Sequence, residues 1–66
     1  MSANLEAQVS AIAATVEELS RRVNELVVQE KATDDEDRVR ALEETERNLR
    51  SAARRLDRLL RDLRRG

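Results

Sequence analysis

The side chains of this sequence that could do chemistry are carboxylates and guanidinium groups. The chain has 66 residues with neither Cys nor His, which removes the common thiol nucleophile, the commonest general base and the preferred zinc ligands. Glu17 and Glu18 are each followed four residues later by an arginine, a spacing typical of ion pairs on a helix surface. We therefore predict that the protein is not an enzyme and uses no metal, cofactor or small-molecule substrate.

The densest group of oxygen ligands is the acidic run at residues 34–37, but it lacks the glycine and ligand spacing of a calcium loop. Thr33 and Glu36 instead fit a capping box, in which Thr33 Oγ1 accepts from the Glu36 amide and the Glu36 carboxylate accepts from the Thr33 amide. Asp34 and Asp35 would then lie with Glu36 in the first turn, where the helix dipole favours negative charge. The run therefore predicts the start of a second helix.

Arginines dominate the last third of the chain. Residues 48–66 carry seven Arg against two Asp, a charge of +5, whereas residues 30–46 carry eight acidic residues against three basic ones, a charge of −5. This surface could be simply solvated, or it could bind an acidic protein, nucleic-acid phosphates or a membrane surface. The net charge of −1 and the absence of aromatic residues disfavour the last two. The candidate partner-binding residues are Arg47, Arg54, Arg55, Arg58, Arg61 and Arg65.

The composition is that of a long helix or coiled coil, with 41% charged residues, no Pro and one Gly. No apolar run is long enough to span a bilayer. Among the 13 basic residues Lys31 is the only lysine, a bias that suggests a GC-rich bacterial or phage genome. From these features we expect a cytoplasmic protein.

Two heptad seams organise the chain, with apolar residues alternately three and four positions apart. We expect a single domain over 1–66, with helix 1 at about 3–30, a turn at about 31–33 and helix 2 at about 34–64. Glu46 interrupts the second seam, and we expect its carboxylate to reach solvent, near Arg50. The seam residues are Leu5, Val9, Ile12, Val16, Leu19, Val23 and Leu26, followed by Val39, Leu42, Leu49, Ala53, Leu56, Leu60 and Leu63.

Folding the chain back at this turn would place Leu19 opposite Glu46 and Leu5 opposite Leu60. The predicted architecture is therefore an all-α, antiparallel two-helix coiled-coil hairpin. The alternative is one continuous helix in a parallel dimer, about 95 Å long at ~1.5 Å per residue.

An isolated hairpin of this size is only marginally stable, so we expect self-association into a dimer that forms a four-helix bundle. A second apolar surface could mediate it, although alanines on a solvated helix face would look the same. The residues of this candidate oligomer face are Ala3, Ala7, Ala11, Ala14, Val28 and Leu59. The sequence thus predicts an interaction or assembly protein whose arginine-rich second helix meets an acidic partner. The alternative is a small nucleic-acid-binding accessory protein.

Overall fold

The computed structural model describes residues 3–66 as two antiparallel helices packed along their length. Helix α1 spans Ala3–Lys31 and helix α2 spans Glu36–Arg65. The hairpin measures 50 × 14 × 11 Å, about half the length expected of one continuous helix. The predicted hairpin is therefore confirmed, and the continuous-helix alternative is wrong.

In the turn between the helices, Thr33 is hydrogen-bonded to the C-terminal end of α1. The Thr33 hydroxyl donates to the Glu30 carbonyl over 2.7 Å, and the Thr33 amide donates to the same carbonyl over 3.0 Å. These bonds satisfy a carbonyl that has no partner within the helix at its C-terminal end. Thr33, two residues beyond the end of α1, therefore caps the C-terminus of α1 and does not cap α2.

The N-cap of α2 is Asp35, two residues later than the Thr33 cap expected from the sequence. Asp35 Oδ1 accepts from the Arg38 amide over 3.0 Å, and α2 begins at Glu36. Glu36 therefore lies in the first turn rather than closing a capping box. Asp is at least as good an N-cap as Thr, and Thr33 is already bonded to α1. The predicted Thr33–Glu36 capping box is thus wrong, and the turn extends to residue 35.

Helix α2 presents its heptad positions to α1. The residues at these positions are all buried or half-buried, namely Val39, Leu42, Glu46, Leu49, Ala53, Leu56, Leu60 and Leu63. Leu60 joins Val9 and Ala13 in the best-buried apolar cluster, with Leu56 and Leu63 packed against it. One face of α2 therefore supplies large leucine side chains to the interface between the helices.

Helix α1 is rotated relative to the expected seam. Val9, Val16 and Val23 point inward as predicted, but the positions beside them that face α2 are Ala13, Ser20 and Val27. The other half of the predicted seam of α1 is not buried between the helices, so this part of the prediction is wrong. Its four residues lie on the outside: Leu5 is 40% exposed, Ile12 52%, Leu19 40% and Leu26 44%.

The size of the facing side chains explains this rotation. The valine row of α1 has a large flank on one side and a smaller one, with Ala13, Ser20 and Val27, on the other. Large residues of α2 against small residues of α1 fill the space between two closely packed helices better than large against large. The valine row forms a heptad pattern with either of its two flanks, so the sequence pattern alone does not say which flank is buried.

The register of the two helices also differs from the expected one. Glu46 faces Asn24 rather than Leu19, and Leu60 packs with Val9 and Ala13 rather than with Leu5. The later start of α2 contributes to this shift, because added turn residues move each α2 position toward the C-terminal end of α1.

Candidate interaction surfaces

A polar layer crosses the interface of the hairpin at Glu46. This side chain is buried, with 8% of the residue exposed, whereas the sequence suggested that its carboxylate would reach solvent. Its Oε2 accepts a hydrogen bond from Asn24 Nδ2 over 3.0 Å and one from Arg50 over 2.6 Å. A buried carboxylate is tolerated when it is paired and hydrogen-bonded. Glu46 thereby ties α2 to α1 at one defined level.

Ionic contacts between the helices continue on the same flank as this layer and at the two ends of the hairpin. Lys31 Nζ lies 3.6 Å from Glu43 Oε2, and Arg64 Nε lies 3.0 Å from Glu6 Oε2. All four side chains are substantially exposed, so each pair contributes little to stability. We call Asn24, Lys31, Glu43 and Arg50 the polar flank.

The opposite flank of α1 carries a row of large apolar side chains that α2 does not cover. Leu5, Ile12, Leu19 and Leu26 recur every seven residues, and each is at least 40% exposed. We call these four residues the Leu/Ile stripe. Leu26 is two residues from Asn24, which places the two side chains about 160° apart around the helix axis. The stripe therefore lies on the side of the hairpin away from the polar flank.

Leu59 extends this apolar surface onto α2. The residue is 43% exposed and lies about 160° around α2 from Glu43 of the polar flank. Leu59 and the Leu/Ile stripe consequently share one side of the hairpin, which we call the apolar face. Single exposed apolar residues are ordinary on protein surfaces, whereas the apolar face aligns five large ones on one side of the hairpin.

The predicted alanine face lies elsewhere. Ala7, Ala14 and Val28 each follow a stripe residue by two positions, so they project from the far side of α1. They are exposed, as are Ala3 and Ala11. Leu59 is thus the one member of the predicted oligomer face that the structure brings beside the Leu/Ile stripe.

The arginine-rich part of α2 also faces outward. Apart from Arg50, which pairs with Glu46, the arginines between residues 47 and 61 form no salt bridge and no side-chain hydrogen bond with any described residue. Arg65, the remaining candidate, lies 3.9 Å from Asp62. We call the unpaired residues the arginine surface; they are Arg47, Arg54, Arg55, Arg58 and Arg61, all exposed.

The two ends of the hairpin carry opposite charge. The turn end holds Asp34 and Glu36, which make no salt bridge with any described residue, and the acidic segment 30–46 surrounds them. The open end, where α1 begins and α2 ends, holds most of the arginine surface. Lys31, Arg38 and Arg40 already pair with acidic residues near the turn. The molecule is therefore an electrical dipole along its long axis.

Over residues 3–66, no three or more of the metal-ligating side chains are grouped closely enough to hold a metal ion, and neither helix is long and apolar enough to cross a membrane. The surfaces that distinguish this hairpin are the apolar face and the arginine surface. No protein-family model, curated protein or solved structure matches the chain.

Proposed function

We propose that this protein is a non-catalytic assembly protein that pairs with a second copy of itself through the apolar face, forming a four-helix bundle. The observation that carries the proposal is the exposure of the Leu/Ile stripe. In a lone hairpin these four residues remain 40–52% exposed, at a cost of about 25 cal/mol for each Å² of apolar surface left in water. The apolar face of a second hairpin would cover these side chains with other large apolar side chains.

The dimensions of the hairpin support this pairing. A face of 50 × 14 Å has an area of about 700 Å², close to the ~800 Å² per partner that stable protein interfaces bury. Small helical domains commonly obtain a sufficient core by oligomerising. One two-helix hairpin packed on a second is a common way to build a four-helix bundle.

The test is the molar mass in solution across a dilution series, by light scattering and sedimentation equilibrium. We expect a dimer that dissociates on dilution. Leu19→Ser should weaken it about 30-fold, because both copies lose about 1 kcal/mol of apolar burial. Val28→Ser is the matched control, since Val28 is exposed on the far side of α1, and it should leave the Kd unchanged. A monomer at all concentrations would overturn the proposal.

The arginine surface supports a second element of the proposed function, docking of an acidic protein partner. Five guanidinium groups without carboxylate partners are displayed on one rigid helix, and arginine binds carboxylates through two parallel hydrogen bonds. An acidic helical peptide should bind, and the double variant Arg54→Gln/Arg58→Gln should weaken binding. The matched control is Arg21→Gln, because Arg21 already pairs with Glu18 over 2.6 Å.

Nucleic-acid binding is the alternative use of the same arginines, since phosphates also attract unpaired guanidinium groups. The acidic turn end of the hairpin opposes it. A salt titration with random duplex DNA separates the two functions. Binding that falls steeply with salt and exceeds binding of the acidic peptide would favour the nucleic-acid function, and absence of DNA binding at low ionic strength would remove it.

A further inference from the structure

We infer that the two hairpins of the dimer lie with their turns at opposite ends of the bundle, so that the acidic turn of each copy meets the arginine-rich open end of the other. This inference rests on the proposed dimer and specifies its geometry. Two symmetric arrangements could cover the apolar face. In one the two turns lie at the same end, and in the other they lie at opposite ends.

Charge is the first observation that separates these arrangements. With both turns at one end, the two −5 segments at residues 30–46 and the two +5 segments at residues 48–66 would lie side by side. With the turns at opposite ends, each acidic segment lies beside a basic one. Asp34 and Glu36 at the turn, like Arg58 and Arg61 near the open end, have no salt-bridge partner within residues 3–66. These unneutralised charges add to the opposite charges of the two ends, so the opposite-end arrangement sets the two hairpin dipoles antiparallel, the attractive orientation for dipoles that lie side by side.

The spacing of the Leu/Ile stripe is the second observation. When the turns lie at opposite ends, a two-fold axis perpendicular to the helices stacks α1 on α1 of the other copy. Leu5 then meets Leu26, and Ile12 meets Leu19, so every layer along this seam is apolar on both sides. The four residues are evenly spaced, which makes the stripe complementary to its own reversed copy, as a two-fold interface requires.

The same-end arrangement would pair the stripe differently. It stacks α1 on α2 of the other copy, where the positions on the matching flank are Arg38, Thr45, Ala52 and Leu59. Three of these four offer a charge, a hydroxyl or a single methyl group to a large apolar side chain. Electrostatic repulsion and poorer apolar pairing thus disfavour the arrangement with both turns at the same end.

Distance measurements between spin labels test the inference directly, because the chain has no cysteine and one added cysteine defines one site. Ala32 is an exposed, uncharged residue of the turn. In labelled Ala32→Cys dimers we expect a separation of about 50 Å, the length of the hairpin. A separation of about 20 Å, which follows from packed helix axes 8–10 Å apart, would overturn the inference.

A second label separates failure of this geometry from failure of dimerisation. Ala11 lies near the middle of α1 on an exposed surface, so labels at Ala11→Cys lie within about 30 Å of each other in either arrangement. Absence of coupling at Ala11 would show that no dimer forms and would overturn both proposals. Coupling at Ala11 with a short distance at Ala32 would retain the dimer and overturn its opposite-end geometry.

Discussion

Asn24 Nδ2 of α1 donates a hydrogen bond to Glu46 Oε2 of α2 over 3.0 Å, at a position where the sequence pattern expected a leucine. Among residues 3–66, this contact is the one side-chain hydrogen bond between the helices that involves a buried carboxylate. It matches one level of α1 with one level of α2. A register shifted by a turn would separate these two side chains and leave Arg50, on the same helix, as the one remaining donor to the Glu46 carboxylate.

Removal of the amide at this layer should destabilise the hairpin. We expect Asn24→Ala to lower the free energy of unfolding by about 1–2 kcal/mol, because a buried acceptor loses one of its two donors. Urea denaturation followed by circular dichroism measures the change. Gln8→Ala is the control on the same helix, since Gln8 is exposed and makes no side-chain hydrogen bond to a described residue. Equal effects of the two variants would contradict a structural role for the layer.

The neighbouring leucines Leu59 and Leu60 should respond in opposite ways to truncation. Leu60 is 7% exposed and belongs to the core, whereas Leu59 is 43% exposed on the apolar face. Leu60→Ala should cost about 2–4 kcal/mol of stability. Leu59→Ala should cost less than about 1 kcal/mol in unfolding of the hairpin but should weaken dimerisation. Thermal denaturation under monomeric conditions and sedimentation of each variant separate the two effects.

The role of Asp35 as the N-cap of α2 can be tested with two substitutions of this residue. Asp35→Ala should lower stability by about 1 kcal/mol, because the Arg38 amide loses its acceptor. Asp35→Asn should retain most of the stability, since its side-chain oxygen can accept the same bond. Full loss in Asp35→Asn would indicate that charge rather than capping matters, and chemical denaturation of the three proteins decides it.

Salt should weaken the dimer if the hairpins lie with their turns at opposite ends. The acidic and basic ends attract each other in that arrangement, and the Debye length falls from about 30 Å at 0.01 M salt to about 8 Å at 0.15 M. We expect the dimer Kd, measured by sedimentation, to rise between these concentrations. The double variant Arg58→Glu/Arg61→Glu should reverse the trend, because its open end repels the acidic turn. Association strengthened by salt in the unmodified protein would contradict the opposite-end geometry.

The sequence identified most residues of the candidate surfaces by type, but it did not show which of them lie together on one side of the hairpin. The outward arginines were predicted from the excess of arginine over acidic residues in the last third of the chain. The Leu/Ile stripe was identified as apolar but was assigned to the hairpin interior. A row of valines with Leu and Ile on one flank and with Ala13, Ser20 and Val27 on the other satisfies the heptad pattern on both sides. The small flank could have been recognised only by comparing its side-chain volumes with the leucines of α2.

The sequence by itself determined that the chain forms two helices with a break near residue 33, and that α2 turns the leucines at its heptad positions toward α1. Both follow from local rules, since the phase of a heptad and the presence of helix-capping residues depend on nearby positions alone. The tertiary structure decided which flank of the Val9, Val16 and Val23 row is buried, which of Thr33 and Asp35 caps α2, and that Glu46 meets Asn24. These choices depend on how closely two distant segments approach and which side chains fit between them, and such contacts exist only after the chain has closed on itself.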